Sequence, residues 1–272
     1  MPKVHANGIE IYYEVHGPAG GEPLVLIPGL GYDHWMWHRI VPGLAEQLRV
    51  IVFDNRGVGR TDKPKGPYTA QLLAEDTAGL LKALGVDRAA ILGHSMGGFV
   101  AQALVLTHPE LVSKLILAST NFGGPRHIPI TQEAMAVLTD MSGDPIERLR
   151  RGIVISTAPG FAERQPELVR EWLDYRAKNP LDPAAYQAQM GIGLALLSEA
   201  ASFEKRLGAV RAPTLILFGE HDKVVPPGNA ELLAKAIPNS RVRILSNAGH
   251  FFPLEAPEVA IEAILEFLEA RA

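Results

Sequence analysis

Apolar residues fall along this chain in two rhythms. Leu24-Val25-Leu26-Ile27, Arg49-Val50-Ile51-Val52-Phe53, Ala89-Ala90-Ile91-Leu92 and Leu115-Ile116-Leu117-Ala118 are short, nearly uninterrupted apolar runs. Runs of that length suit strands buried on both faces, as in a parallel sheet covered by helices. Between them, helix-period segments occupy part of Tyr32 to Glu46, Thr69 to Leu84 and Gly97 to His108. Strands alternating with helices predict an α/β architecture. Ahead of the first run, Lys3 to Val15 alternates polar and apolar residues around Asn7-Gly8, the pattern of a tight hairpin.

The rhythm breaks at Asn121. From there to about Arg211 no clear apolar strand occurs, and the chain reads as helices separated by Pro and Gly: Thr131 to Met141, Pro145 to Val154, Pro166 to Lys178 and Pro183 to Leu197. Several begin at Pro or just after Asp or Thr, which suits a helix start. Strands resume at Thr214–Phe218 and Arg241–Leu245, and an amphipathic helix over Pro257 to Ala270 follows. The expectation is one α/β core made of residues 1–120 and 212–272, interrupted by a helical insertion over residues 121–211.

Composition removes several functions. The chain carries 30 acidic and 26 basic side chains, for a formal net charge of −4. That balance gives nucleic acid no electrostatic footprint. The absence of cysteine excludes disulfides, zinc thiolate sites and thiol nucleophiles. No apolar run is long enough for a membrane span, and Met1 to Tyr13 lacks the apolar centre of a signal peptide. A soluble, cytoplasmic protein with no membrane partner is the expectation.

The chemistry concentrates in Ile91-Leu92-Gly93-His94-Ser95-Met96-Gly97-Gly98. A buried strand runs into Gly-x-Ser-x-Gly and straight into a helical pattern, the context of a nucleophile elbow. Flanking glycines permit a turn too sharp for side chains and lift the serine hydroxyl above the sheet edge. A serine hydroxyl needs a base, and the base needs an acid to orient it. In this arrangement the partners follow in the order Ser, acid, His. His250 lies just past the last strand and Asp222 just past the strand before it, so both open at the same sheet edge as Ser95. His127 is the rival base; Glu220, Asp54 and Glu255 are rival acids. Past the strand ending at Ala118 the sequence offers Asn121 and no carboxylate, which favours Asp222. For the developing oxyanion, the main-chain N–H groups of Met96 and of Leu30, in Pro28-Gly29-Leu30-Gly31, are the candidate donors.

Together Gly93-His94-Ser95-Met96-Gly97-Gly98, Asp54-Asn55-Arg56-Gly57-Val58-Gly59, Gly219-Glu220-His221-Asp222 and Gly249-His250 resemble the α/β-hydrolase fold family over essentially the whole chain. The resemblance implies a mostly parallel eight-stranded sheet with helices on both faces and a helical cap inserted after the sixth strand. Within the family the chain is similar to carboxylesterases and 3-oxoadipate enol-lactonases, serine enzymes that need no metal or organic cofactor. One departure stands out: where many members carry His-Gly at the oxyanion loop, this chain has Pro28-Gly29.

Other motifs lead nowhere. Gly57-Val58-Gly59-Arg60-Thr61-Asp62 begins like a dinucleotide fingerprint, but Asp62 would repel a pyrophosphate. His34 and His38 share a helical face without an evident carboxylate partner, so they read as wall or surface residues. Arg148, Arg150 and Arg151 read as a solvated helix face.

The expected reaction is hydrolysis of a carboxylic ester through an acyl-enzyme on Ser95, with a small-molecule substrate and the protein acting as a monomer or homodimer. The insertion supplies Met135, Leu138, Met141, Phe161, Trp172, Tyr175, Tyr186 and Met190 to roof a pocket for small to medium, largely apolar groups. Trp37, Val224 and Phe251 are the core's candidate wall residues. Enol-lactone hydrolysis, C–C bond hydrolysis of aromatic-degradation products, and slow or absent turnover in a small-molecule sensor are the alternatives.

Overall fold

The computed structural model describes residues 2–140 and 142–270. Its eight strands are β1 (Lys3–Ala6), β2 (Ile9–His16), β3 (Pro23–Ile27), β4 (Arg49–Phe53), β5 (Ala89–His94), β6 (Val112–Ala118), β7 (Thr214–Gly219) and β8 (Ser240–Leu245). They form one sheet in the order β1-β2-β4-β3-β5-β6-β7-β8. The hairpin β1–β2 turns at Asn7 (φ 46°) and Gly8 (φ 76°), two left-handed residues that match the twist of the flanking strands. β2 joins β4 antiparallel, and every later pairing is parallel.

Parallel strands need crossovers, and helices supply them: α1 (Val41–Leu44), α2 (Ala70–Ala83) and α3 (Met96–Thr107) before the insertion. After it come α9 (Gly228–Ala236), α10 (Phe252–Glu255) and α11 (Pro257–Glu269). Between β6 and β7 lie α4 (Gln132–Thr139), α5 (Pro145–Ser156), α6 (Phe161–Arg164), α7 (Pro166–Lys178) and α8 (Pro183–Ala195), with no strand among the described residues. The start signals there are real caps: Thr131, Asp144 and Asp182 accept from main-chain N–H groups of α4, α5 and α8. Met141, expected at the end of the first of these helices, lies outside the described residues.

The uninterrupted apolar runs are explained by two cores. Val25, Ile27, Ile51, Phe53, Ile91, Leu117 and Phe218 pack on one face with residues of α2, α3 and α9. Their immediate neighbours Leu24, Leu26, Val50, Val52, Leu92, Ile116 and Leu217 pack on the other with α1, α10 and α11. Successive side chains on a strand point to opposite faces, so every position must be apolar. β8 departs from this: it is the edge strand, and Val242 and Ile244 are exposed. α9 is not among the helices expected above, although Ala230 to Ala236 is rich in helix formers and follows Pro226-Pro227. Turns after β5, β7 and β8 bring Ser95, Asp222 and His250 to one edge of the sheet.

Candidate active site

Ser95 leaves β5 with φ 55° and ψ −119°, a conformation that L side chains seldom adopt. Such a residue costs about 1–3 kcal/mol and persists only where its surroundings fix it. Here its N–H donates to the Ala118 carbonyl at 2.9 Å. Its own carbonyl accepts from the Gly98 N–H (2.9 Å) and the Thr120 hydroxyl (2.8 Å). The flanking glycines are required by contact: a Cβ on Gly97 would run into the Ile27 and Pro28 carbonyls, and one on Gly93 into the Gly97 carbonyl.

His250, on the loop after β8, places Nδ1 2.8 Å from Oδ2 of Asp222. Both residues are buried. The second Asp222 oxygen accepts the N–H groups of Val224 (2.9 Å) and Val225 (2.8 Å), which fixes the carboxylate in its loop. The rival groups have other partners. Asp54 accepts from His34, Glu220 from the Asn247 N–H, and His127 Nδ1 meets the Gly124 carbonyl.

Three further residues hold the histidine loop, and these bracing roles are not among the expectations from the sequence, where Glu255 stands only as a rival acid. His94 Nε2 donates to the His250 carbonyl at 2.7 Å. Complete burial, then the charge of nearby His250, holds the His94 imidazole well below the usual histidine range, so it stays neutral. The His250 N–H donates to the Ser156 carbonyl at 2.7 Å, which ties the loop to α5 of the insertion. Glu255 accepts the N–H groups of Gly249 (2.8 Å) and Ala158 (2.7 Å), a second tie to the insertion. Burial pushes its carboxyl up to about 7, against the opposing pull of those two donors.

The oxyanion loop is held the same way. Among the described residues neither the Leu30 nor the Met96 N–H has a protein acceptor. Gly29 passes so close to the elbow that an added Cβ would lie 3.1 Å from the Ser95 Cβ. Where the family's histidine is replaced, the Pro28 carbonyl accepts from Asn55 Nδ2 at 3.0 Å. Buried Gln189 of α8 takes the Gly31 N–H on Oε1 (2.9 Å) and donates from Nε2 to the Arg56 carbonyl (2.8 Å). A glutamine in an insertion helix thus braces a core loop, a contact with no local signature.

Ser95, His250, Leu30 and Gly31 border one cavity of about 850 Å³. Leu138, Tyr186, Val224 and Phe251 line it, as expected from the sequence. Trp37, Met135, Phe161 and Trp172 do not. Trp37 is completely buried beneath the site, edge-on to His94. Phe161 and Trp172 join the insertion to the apolar core, and Trp172 backs Phe251 with ring centroids 4.9 Å apart. Met135 is exposed, as is Met190, and the Tyr175 hydroxyl donates to Asp33. Helical periodicity cannot separate these cases, because an insertion helix has two apolar neighbours, the core below and the cavity beside it.

Two further expectations change. His34 does have carboxylate partners: its Nδ1 lies 2.6 Å from Asp54, with Asp33 adjacent. Those three could hold a cation, yet the carboxylate oxygens are already taken by the N–H groups of His34, Trp35 and Arg60 and by the Tyr175 hydroxyl. Arg150 and Arg151 pair with Glu147 and Asp140 on the surface, whereas Arg148 borders the cavity.

Among the described residues no helix is long and apolar enough to cross a membrane. Comparison with known proteins agrees with the geometry. The sequence profile of the alpha/beta hydrolase fold matches residues 22–257. A protein of Azorhizobium caulinodans, provisionally named a carbamate hydrolase, is 29% identical over 98% of each chain. A structure described as an N-acyl homoserine lactone degrading enzyme superposes with a TM-score of 0.82 at 30% identity, covering 98% of this chain and 100% of the other. The enol-lactonase of Burkholderia xenovorans LB400 gives 0.80 at 26% identity, covering 99% and 100%. The match in sequence and architecture spans core and insertion alike, and the chain belongs to the alpha/beta hydrolase fold family.

Proposed function

We propose that this hydrolase cleaves carboxylic esters of small to medium, largely apolar substrates through an acyl-enzyme on Ser95. The observation that carries the reading is a serine at a strained elbow, bordering the same cavity as a histidine whose Nδ1 is held by a buried aspartate at 2.8 Å. Asp222 fixes the tautomer with the proton on Nδ1, which leaves Nε2 to take the Ser95 proton as Oγ attacks the carbonyl carbon. The Leu30 and Met96 N–H groups, which have no acceptor among the described residues, receive the oxyanion. Collapse of the tetrahedral intermediate expels the alcohol, which takes its proton from His250. Water then repeats the sequence on the acyl-enzyme, and the carboxylic acid leaves.

Lactones are a second reading, favoured by the two structural neighbours described as lactone-degrading. A lactone is a cyclic ester, so the same groups serve, with the alcohol retained in the product. The test is a panel of p-nitrophenyl esters of graded chain length beside several lactones. Sustained turnover of the esters supports the first reading, and turnover of lactones with little of esters the second. A single burst without further product points instead to a small-molecule sensor.

A further inference from the structure

The cavity that contains Ser95 is apolar over most of its surface, with Leu30, Leu138, Leu149, Ile153, Leu181, Val224 and Phe251 among its walls. Among its described lining residues there is no carboxylate at all, but there are two arginines, Arg148 of α5 and Arg176 of α7. Arg148 is engaged locally, donating from Nη1 to the Gly143 carbonyl at 2.6 Å. Arg176 is placed differently. Its guanidinium carbon stands 5.0 Å from the centre of the Tyr32 ring, and Tyr32 directly follows the oxyanion loop and lines the same cavity.

A basic residue in the last turn of a helix is favoured by the helix dipole, which would account for Arg176 pointing to water. It does not account for a guanidinium lying over an aromatic ring in the cavity wall. Stacking orients the fork; one part of it also interacts with the Tyr32 hydroxyl, and the remaining donors of the five are left for a ligand. Asp33 is the acid whose carboxyl feels the Arg176 charge, but its two oxygens are taken by the Trp35 N–H and the Tyr175 hydroxyl. Among the described residues Arg176 forms no ion pair with a carboxylate. Arg176 also borders a smaller cavity that holds Asp33 and Asp182, but on its Ser95 side no described wall residue is a carboxylate. A half-buried cation on that side raises the local concentration of anions and penalises purely apolar ligands that leave it uncompensated.

We propose that Arg176 is a specificity-determining residue, and that the substrate is an ester or lactone whose apolar body carries a carboxylate away from the reacting carbonyl. The planar guanidinium would take that carboxylate through paired N–H donors, and the apolar walls would hold the chain between it and Ser95. The carboxylate itself does not react. This rests on the ester-hydrolase reading for its chemistry, though not for its binding.

The experiment compares kcat/KM for matched esters that differ in charge. On the acyl side these are p-nitrophenyl hydrogen adipate and p-nitrophenyl hexanoate. On the alcohol side they are the butyrate esters of 4-hydroxybenzoate and of its methyl ester. The native protein is expected to prefer the anionic member of at least one pair by about tenfold or more, as befits a charge-assisted contact. In Arg176→Met that preference should fall by about tenfold or more, and Arg176→Lys should fall between the two, keeping charge without the fork. Increasing salt should erode the native preference. A native preference absent from both pairs, or retained in a folded Arg176→Met, overturns the proposal. Should Arg176→Met fail to fold, inhibition of the native protein by adipate against its dimethyl ester decides: equal or weaker inhibition by adipate refutes the site. Should neither ester be turned over, calorimetric binding of the same anionic and neutral esters to Ser95→Ala separates the two readings. Selective binding of the anion then keeps Arg176 and discards the ester chemistry, and no selectivity discards the anion site.

Discussion

The sheet edge and the helical insertion contribute to one site in different ways. Ser95, Asp222 and His250 stand on turns directly after parallel strands, with each strand fixed by neighbours on both sides or by its helix. The insertion supplies cavity walls at Leu138, Leu149, Ile153 and Tyr186, and it also grips the core loops. Its Ser156 carbonyl and Ala158 N–H hold the His250 loop, and its Gln189 holds the oxyanion loop. Its outer surface is greasy, with Met135, Leu194 and Leu197 exposed, whereas β3 to β7 of the core expose no large apolar side chain. The difference teaches that the candidate catalytic side chains stand on the core, while the loops that carry them are held in part by the insertion.

The sharpest test of that division is Ser95→Ala. It should lower kcat by more than about a thousandfold, as removal of a serine nucleophile does elsewhere. It should also abolish labelling by an organophosphonate without changing the fold. Labelling that persisted on Ser119 or Ser246 would move the nucleophile off the elbow.

Asp222→Asn comes next, with a loss of kcat on the order of a hundredfold or more, because the amide favours the wrong imidazole tautomer. Asp54→Asn and Glu220→Gln should cost much less, since they meet His34 and the Asn247 N–H rather than His250. Steady-state kinetics on all three variants decide the acid, and the opposite ranking would remove Asp222 from the role.

Gln189→Leu probes the insertion's share. Loss of its two hydrogen bonds frees the Gly31 N–H and the Arg56 carbonyl. A misplaced oxyanion donor should lower kcat by about tenfold. If KM alone changed, α8 would be a wall and not a brace.

The smallest effect concerns Glu255, whose carboxyl is raised to about 7 by burial. An acid with a folded-state pKa above its unfolded value binds its proton more tightly in the native state, so its contribution to stability is lost as pH rises through about 7. The Tm of the native protein minus that of Glu255→Gln should therefore fall between pH 5 and pH 8. A difference that rose over that range would mean that the Gly249 and Ala158 N–H groups outweigh the burial.

How much of this was legible depended on range. Gly93, Ser95 and Gly97 announce themselves because strand, turn and helix follow one another within a few residues. The pairing of Asp222 with His250 was legible because chain order and strand ends constrain both residues. The bracing roles of Gln189, His94 and Glu255 were not, because each acts through a main-chain group brought near only by folding: Gln189 on Gly31, His94 on the His250 carbonyl, Glu255 on Ala158. A main-chain donor or acceptor leaves no trace in residue identity.

The amino-acid sequence by itself determined the strand rhythm, the elbow and the order of the three reactive residues, since alternation, glycine spacing and chain order are local or nearly local properties. The tertiary structure alone decided which apolar side chains face the cavity. Trp37, Phe161 and Trp172 have the composition of a pocket wall, yet they pack into the core, while Leu138, Tyr186 and Phe251 line the cavity. A helix flanked on one side by the sheet and on the other by the cavity presents one continuous apolar stripe. Only the packing against β-strands and neighbouring helices tells its two halves apart.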